Sequence, residues 1–358
     1  MSKAFKTFER NLNELLKYKD LIELRSKKYV MYNKNREAVK QRLNTYELEK
    51  RVREVRQWAL EHNEELVKQA LERFEKNGVH AILAKTADDA RKYLFDVIGD
   101  EELVVYSSTE TLREIDAYNE FEKRKIKYVH SELAYRIAQL DSDDVIFDKP
   151  TPVAHKTLDD LVRLVEKRFN VKLPKKTPEA VMDVIRKDIM DWVLKAKIGI
   201  SGGNSISAAD GAVFTVFGTG NIAHMSLRPV YIVISGIERV LPTMEAAFES
   251  VYLQSLYEGG IGGASYYLAV RGPSDVGPIA GKTIHPGLGS KEMHVILLDN
   301  GRSKAIKEGF SEVLRCIRCL TCDNYCPVYT VTGPGIGYGY KKPGFNYCLL
   351  YTSPSPRD

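Results

Sequence analysis

The stretch VHAILAKTADDARKYLFDVIGDEELVVYSS, residues 79–108, contains two apolar runs with an amphipathic segment between them. The runs "VHAILA" and "ELVVYSS" predict buried strands. The segment "TADDARKYLFDVIG" predicts a helix that Thr86 caps at its N-terminus and that Gly99 ends. Strands that alternate with helices in this way predict a mostly parallel sheet with helices on its faces.

The same alternation continues towards the C-terminus, and the sequence turns strand-rich after residue 196. The stretch "TPEAVMDVIRKDIMDWVLKA" (177–196) predicts a helix with Pro178 at its first position. Other elements are a strand in "DDVIFD" (143–148), helices near 109–124 and 157–169, and a closing strand in "HVILLDNGRS" (294–303). An α/β domain is therefore predicted over residues 77–303.

A helical N-terminal segment, residues 1–76, precedes this domain. One of its helices opens near Asn44 or Thr45 and ends at Gly78. Residues 1–56 hold 16 Lys and Arg against 8 Asp and Glu, whereas the whole chain has a net charge of +5. A basic helical arm could meet nucleic acid or an anionic membrane surface. No aromatic-interleaved basic motif supports nucleic acid, so a solvated face or a dock for a partner subunit is favoured.

The composition, with 44% hydrophobic and 28% charged residues over 358 positions, is that of a folded globular protein. No apolar run approaches the roughly 20 residues of a membrane span, and the N-terminus lacks the apolar core of a signal peptide. Four of the five cysteines lie in one short segment, which suits metal binding in a reducing compartment. We therefore expect a cytoplasmic protein without a transmembrane segment.

The cysteines of that segment follow the spacing Cys316-x2-Cys319-x2-Cys322-x3-Cys326, with a proline directly after the last. Three thiolates two residues apart suit three corners of a [4Fe–4S] cluster, and the fourth cysteine serves a second cluster in two-cluster ferredoxins. Structural zinc is the alternative, but zinc sites usually use two separated cysteine pairs. The spacing therefore predicts that these four cysteines bind [4Fe–4S] clusters.

Two glycine-rich stretches are weaker candidates for ligand sites. The sequence from Gly218 to Ala223 imitates the dinucleotide fingerprint G-x-G-x-x-A, but nine residues between Gly220 and Val230 are too few for a parallel crossover. A β-hairpin or strand connection is predicted there instead of an NAD site. The loop "GISGGNSISAADG" (199–211) could present N–H groups, Asn204 and Asp210 to a small anion. It could equally be a turn where two backbones pass closely.

Several stretches resemble the lactate utilization protein B family: "KAKIGISGGNSISAADGAVF", "RPVYIVISGIERVLPTMEAAF", "MHVILLDNGRSK" and "LRCIRCLTCDNYCPVY". The resemblance runs from about residue 45 to 340. It implies a lactate-utilization (LUD) domain, similar in fold to the ribose-5-phosphate isomerase and CoA-transferase group. A ferredoxin-type module with two [4Fe–4S] clusters would follow. It also implies a role, with two partner subunits, in passing electrons from the oxidation of L-lactate to pyruvate.

The chain departs from the family pattern at some positions outside the cysteine run. It has Ala208-Ala209-Asp210-Gly211 where the family usually reads Ala-Glu-Thr-Gly, and "VVYSSTET" where the family is more basic. It also has Arg271-Gly272-Pro273-Ser274-Asp275 where the family tends to a Thr-Gly-Pro-Ser element. These departures bear on the choice of substrate and leave the four cysteines unchanged.

Two functions follow as hypotheses. The first is an iron–sulfur electron-transfer subunit of an L-lactate-oxidising complex, with no self-contained catalytic site and no side chain assigned to catalysis. The alternative is a LUD domain that binds or processes another small carboxylate or phosphate, with the cluster in a structural or regulatory role. No nucleic-acid partner is expected.

The cysteine run alone predicts that the sequence is part of a longer protein, because a run of this type needs a second one further on. Residues 304–347 would then be a partial ferredoxin-type module. The end "CLLYTSPSPRD" (348–358) can be written as a read-through of a sequencing adapter, so Cys348 is predicted to be non-native and not a ligand. We expect this chain alone to hold at best one incomplete, labile cluster.

Overall fold

The computed structural model describes residues 19–107, 109–141, 152–258, 262–274, 278–279, 282–283 and 287–332. The helices in these ranges are α1 (Lys19–Leu43), α2 (Tyr46–Glu61), α3 (Asn63–Lys76), α4 (Ala87–Ile98), α5 (Glu110–Glu114), α6 (Ala117–Lys123), α7 (Leu133–Leu140), α8 (Leu158–Phe169), α9 (Pro178–Lys195), α10 (Asn221–Ser226), α11 (Met244–Tyr257), α12 (Arg302–Lys307), α13 (Ser311–Leu314), α14 (Thr321–Tyr325) and α15 (Pro327–Thr332). The strands are β1 (His80–Ala84), β2 (Leu103–Tyr106), β3 (Lys127–His130), β4 (Ile198–Gly202), β5 (Ser205–Ser207), β6 (Ala212–Phe217), β7 (Val230–Gly236), β8 (Val240–Leu241), β9 (Tyr266–Val270), β10 (Pro278–Ile279), β11 (Lys282–Thr283) and β12 (Glu292–Leu298).

A six-stranded parallel sheet in the order β1-β12-β7-β4-β2-β3 forms the centre of the molecule. Its strands are apolar on both faces because helices cover both of them. Along β7, Tyr231 and Val233 point into one core cluster, whereas Ile232 and Ile234 point into the other. The predicted α/β fold with a mostly parallel sheet is confirmed.

Capping residues and a proline in the sequence correctly predict where α4 and α9 begin. Thr86 and Asp89 form a capping box at the start of α4, and Gly99 ends this helix with φ +58°. Helix α9 begins at Pro178 as predicted. The long N-terminal helix differs, because it is interrupted at His62 and so forms α2 and α3. The predicted strand at 143–148 lies outside the described residues.

A second sheet, in the order β8-β5-β6-β9, packs beside the first. Strand β6 is antiparallel to β5 and β9, whereas β7 belongs to the parallel sheet. The chain therefore changes sheets after the fingerprint-like glycines, and α10 makes the connection. Of the two predicted alternatives, the β-hairpin is wrong, because β6 and β7 do not pair, whereas a connection between two strands is present.

The N-terminal helices α1 and α2 lie against α11 and against the end of the described chain. We call residues 315–332 the cysteine segment. Its helices α14 and α15 pack on α1, where the rings of Tyr29 and Tyr329 stack with centroids 6.1 Å apart. Among the described residues, no helix combines the length and apolar character needed to cross a bilayer.

Candidate functional site

A cavity of about 460 Å³ opens at the carboxyl edge of the parallel sheet. Ser107 follows β2, Gly202 ends β4, and Ser235 and Gly236 end β7, and all four line it. In open α/β sheets, ligands bind outside the carboxyl ends of the strands. A volume of this size is typical of small-molecule sites.

The other walls of the cavity come from distant parts of the chain. Helix α11 and the residue after it contribute Gln254, Ser255 and Glu258, and the cysteine segment contributes Arg318 and Leu320. The cysteine segment and the ends of the sheet strands therefore share one cavity. Any molecule bound there would lie beside the predicted cluster ligands.

The two residues predicted to touch a ligand lie at opposite ends of β5. Asn204 lines the cavity, where its side chain accepts a hydrogen bond from Val216 N (3.2 Å) and donates one to Gln254 Oε1 (3.1 Å). Asp210 lies in the turn before β6, where its carboxylate accepts a hydrogen bond from Ser207 Oγ (2.6 Å). The structure does not place Asp210 among the residues that line the cavity. The role of both residues in ligand binding stays a prediction.

A buried network of charged side chains includes Glu238, which lines the cavity. Arg302 donates to Glu238 Oε2 through Nε (2.6 Å) and to both oxygens of Glu114 (2.8 Å each). Burial raises the pKa of Glu238, but the charges of Arg302, Arg239 and Arg318 outweigh it and lower the pKa to about 2. A Cβ at position 236 would overlap Glu238 Oε2 and Arg302 Nε, so the network requires glycine at this position.

Two further carboxyl groups that line the cavity are those of Glu132 and Glu258. Burial and, to a lesser extent, the charge of Glu258 raise the pKa of Glu132 to about 7. Burial likewise raises the pKa of Glu258, and a hydrogen bond from Gln254 opposes this. Near neutral pH the Glu132 carboxyl group can therefore donate as well as accept hydrogen bonds.

The cysteine segment places its four thiols in distinct settings, and none of them forms a disulfide. Cys316 and Cys326 accept hydrogen bonds from the backbone N–H groups of Arg318 and Tyr329, at 3.3 Å each. Cys319 lies 3.1 Å from Thr321 Oγ1, and burial raises the pKa of its thiol. Hydrogen bonds to sulfur tune the potential of iron–sulfur clusters.

Side chains from α1 and α2 hold the backbone of this segment, and we call Arg25, Asn33 and Arg56 the helix clamp. Arg25 donates to the carbonyls of residues 330 and 331, and Asn33 donates to the carbonyl of residue 324. Arg56 donates to three consecutive carbonyls, those of residues 314, 315 and 316, at 3.0, 2.8 and 3.5 Å. Burial lowers the pKa of Arg56 to about 9, and the nearby charge of Arg239 adds to this.

The donors around the segment are chemically suited to an iron–sulfur cluster. Arg36 Nη2 and Asn324 Nδ2 are buried and have no hydrogen-bond partner among the described residues, and Arg36 lies within electrostatic range of Cys319 and Cys322. The sulfur atoms of an anionic cluster would supply the missing acceptors. In the part of the chain that the structure describes, no three His, Cys, Asp or Glu side chains converge as a metal-holding group. Cluster ligation therefore stays a prediction.

The sequence did not identify the helix clamp, although a signal for it exists. The buried residues of α1 are Arg25, Tyr29, Tyr32, Arg36 and Val39, which recur at helical spacing along one face. Arginines within an apolar helical stripe indicate guanidiniums that face the protein and not solvent. Part of the positive charge of the N-terminal segment therefore lies in the protein interior and not on a solvated face.

Comparison with known proteins identifies the family of this chain. The sequence profile of the LUD domain matches residues 67–298. An uncharacterized electron transport protein, YkgF, of Escherichia coli (strain K12) is 32% identical over 299 residues, which cover 82% of this chain and 60% of that protein. Lactate utilization protein B of Bacillus subtilis (strain 168) is 32% identical over 306 residues, with 84% and 60% covered. The chain thus spans about 60% of the length of these relatives.

A crystal structure of a DUF162 family protein from Deinococcus radiodurans also matches, with a TM-score of 0.34 and 11% identity. The match covers 66% of this chain and 98% of that one. The LUD profile by itself covers well over half of the present sequence. This chain belongs to the LUD domain family.

Proposed function

We propose that this protein is an iron–sulfur electron-transfer component of an L-lactate-oxidising system, with Cys316, Cys319, Cys322 and Cys326 as ligands of [4Fe–4S] clusters. One observation carries the proposal: the cysteine segment forms a wall of the cavity at the carboxyl edge of the sheet, through Arg318 and Leu320. A cluster held there would exchange electrons with a molecule or partner at that edge. Two relatives, one named as an electron transport protein and the other as a lactate utilization protein, support it.

The residues of this chain have separate roles in the proposal. The four cysteines hold the metal, and a bound cluster supplies one-electron transfer. The helix clamp fixes the backbone that carries the cysteines, and Arg36 offers positive charge and an unused donor beside Cys319 and Cys322. Conversion of lactate to pyruvate releases two electrons, so other subunits would complete the reaction.

The test uses the complete protein together with its partner subunits after anaerobic reconstitution. Cys319→Ser should reduce lactate-dependent reduction of the complex by at least tenfold and should alter the cluster signal in electron paramagnetic resonance. Lys307→Gln, on the exposed surface of α12 and outside the cysteine segment, is the control and should change neither. Unchanged lactate oxidation in Cys319→Ser would rule out the electron-transfer role.

The cavity also favours a second candidate, in which the LUD domain binds a small carboxylate or phosphate and the cluster is structural or regulatory. A ligand that binds only the folded state raises its stability by RT ln(1 + [L]/Kd), so a thermal-shift screen tests this. A shift with lactate that disappears in Asn204→Ala would favour a substrate site. No shift with hydroxy acids, sugar phosphates or acyl-CoA would leave electron transfer as the function.

A further inference from the structure

We propose that Arg239 and Arg318 form an oxyanion site on the cysteine-segment side of the cavity, which binds the carboxylate or phosphate group of a small hydroxylated ligand. This inference rests on the proposed use of the cavity for a small molecule. The experiment below separates it from the binding of a cluster by the cysteines.

Arg239 is a buried cation whose hydrogen-bonding capacity is unused. Its side chain is 7% exposed and lines the cavity. Among the described residues its ion pair is with Glu238, at 3.4 Å from Nε to Oε1, and it donates no side-chain hydrogen bond. Glu238 already accepts the shorter bond of 2.6 Å from Arg302. A buried guanidinium normally uses several of its five donors in hydrogen bonds. The unused donors of Arg239 therefore indicate that an acceptor is missing.

Arg318 lines the same cavity from the cysteine segment. Its backbone has φ +60°, a conformation that residues with a Cβ rarely adopt. Within the described part of the chain its guanidinium makes no hydrogen bond and no ion pair. It nevertheless lies in electrostatic range of Glu238 and Arg239. Two guanidiniums with unused donors therefore border one cavity.

The positive and negative charges around Arg239 do not balance. Arg239 interacts electrostatically with Arg56, Arg302 and Arg318 and with Glu238, and Glu114 is bound to Arg302. These four guanidiniums and two carboxylates leave two positive charges in excess, and Cys316 is a further acidic group in range of Arg56 and Arg239. Buried charge without a counter-charge is costly, so this region favours an anionic ligand.

The chemistry of the lining indicates the class of ligand. A guanidinium fork matches a carboxylate or a phosphate through two parallel hydrogen bonds. Ser107, Thr109, Thr219 and Ser235 offer hydroxyl groups elsewhere on the wall. The cavity of about 460 Å³ has room for more than the oxyanion alone. A hydroxy carboxylate or a sugar phosphate combines the required anion with hydroxyl groups.

The test measures binding by calorimetry to the full chain, before and after anaerobic reconstitution. The probes are L-lactate and D-ribose 5-phosphate, each beside a neutral counterpart, lactamide and D-ribose. Variants Arg318→Gln and Arg239→Gln remove one guanidinium each, and Arg318→Lys retains the charge. Arg315→Gln is the control, because Arg315 lies in the same segment, pairs with Glu312 and does not line the cavity.

We expect one of the two anions to bind, its neutral counterpart to bind at least tenfold more weakly, and Arg318→Gln to weaken the anion at least tenfold. Arg318→Lys should recover part of this loss and Arg315→Gln should lose none. The anion that binds identifies the source as a carboxylate or a phosphate. No binding of either anion to the unaltered chain, or equal losses in Arg318→Gln and Arg315→Gln, would overturn the site.

Two further readouts separate this inference from the iron–sulfur proposal. Iron content after reconstitution should be the same in Arg318→Gln as in the unaltered chain. If Arg318→Gln lowers iron content while anion affinity is unchanged, the guanidinium serves the cluster only and the oxyanion site is wrong. Normal anion binding in a reconstituted complete protein that takes up no iron would contradict the cluster and support this site.

Discussion

The parallel sheet and the cysteine segment are stabilised by different means. The sheet strands bury Val, Ile and Leu on both faces, with helices packed above and below. The cysteine segment has only small apolar clusters, such as Tyr29, Tyr32, Cys326 and Tyr329, and its backbone is held by the guanidiniums and amide of the helix clamp. Apolar burial dominates the first region, and directed hydrogen bonds dominate the second.

This difference makes one region dependent on the other. Helices α1 and α2 carry the clamp, and α2 packs against the second sheet and α11. Damage to the parallel sheet should therefore release the cysteine segment, whereas damage to the clamp should leave the sheet folded. Hydrogen exchange of the two regions, compared in the same variant, measures this asymmetry.

The largest effect is expected from Ile232→Ala in β7. Ile232 is fully buried at the centre of the parallel sheet, so its truncation leaves a cavity and should lower the free energy of unfolding by about 4 kcal/mol. Chemical denaturation measures the loss, and exchange should rise in both the sheet and the cysteine segment. Ile232→Val, which removes one methylene, should cost only about 1 kcal/mol. An exchange increase limited to the sheet would contradict the dependence.

Arg56→Met should have the next largest effect and the more selective one. It removes the donor to the carbonyls of residues 314–316 and leaves these buried acceptors unsatisfied, which should cost about 3 kcal/mol. Exchange should rise in the cysteine segment and remain unchanged in β7. Arg51→Met, on the same helix, removes an exposed ion pair with Glu249 and should leave the free energy of unfolding nearly unchanged. Equal exchange increases in β7 and the cysteine segment would refute the clamp.

The cavity between the two regions should make stability depend on pH through Glu132. Its pKa is about 7 in the folded protein and about 4.3 in an unfolded chain. Between these values the unfolded state loses the proton first, so the free energy of unfolding falls as pH rises. With allowance for partial exposure, the fall between pH 5 and pH 8 should be about 2 kcal/mol.

Denaturation of Glu132→Gln at the two pH values checks this contribution. The variant should lack the fall and should be more stable than the unaltered chain at pH 8. Glu72→Gln, on the exposed surface of α3, is the control and should keep the fall. A variant that is less stable at pH 8 than the unaltered chain would contradict the raised pKa.

The two regions also differ in how much of their structure the sequence predicts. The sheet follows from local patterns, because apolar runs and capping residues such as Thr86 and Gly99 act within a few positions. The cysteine spacing likewise predicted a chemistry without tertiary information. The cavity could not be predicted, because it brings together Ser107, Gly236 and Arg318 from chain positions more than eighty residues apart. The hydrogen bonds from Arg56 to carbonyls about 260 positions away could not be predicted either, because they produce no local sequence pattern.

The smallest effect, and the sharpest test of independence, is expected from Thr86→Ala at the start of α4. Thr86 Oγ1 accepts a hydrogen bond from Asp89 N (3.1 Å), and the Asp89 carboxylate accepts one from Thr86 N (3.0 Å). Loss of such a cap costs about 1 kcal/mol. Because α4 covers the face of the sheet that Ile232 occupies, exchange should rise in α4, and the cysteine segment should not change. Thr86→Ser keeps the accepting hydroxyl and should behave as the unaltered chain does. Faster exchange of the cysteine segment in Thr86→Ala would mean that the two regions unfold as one unit even after a small local loss, and the distinction between them would then fail.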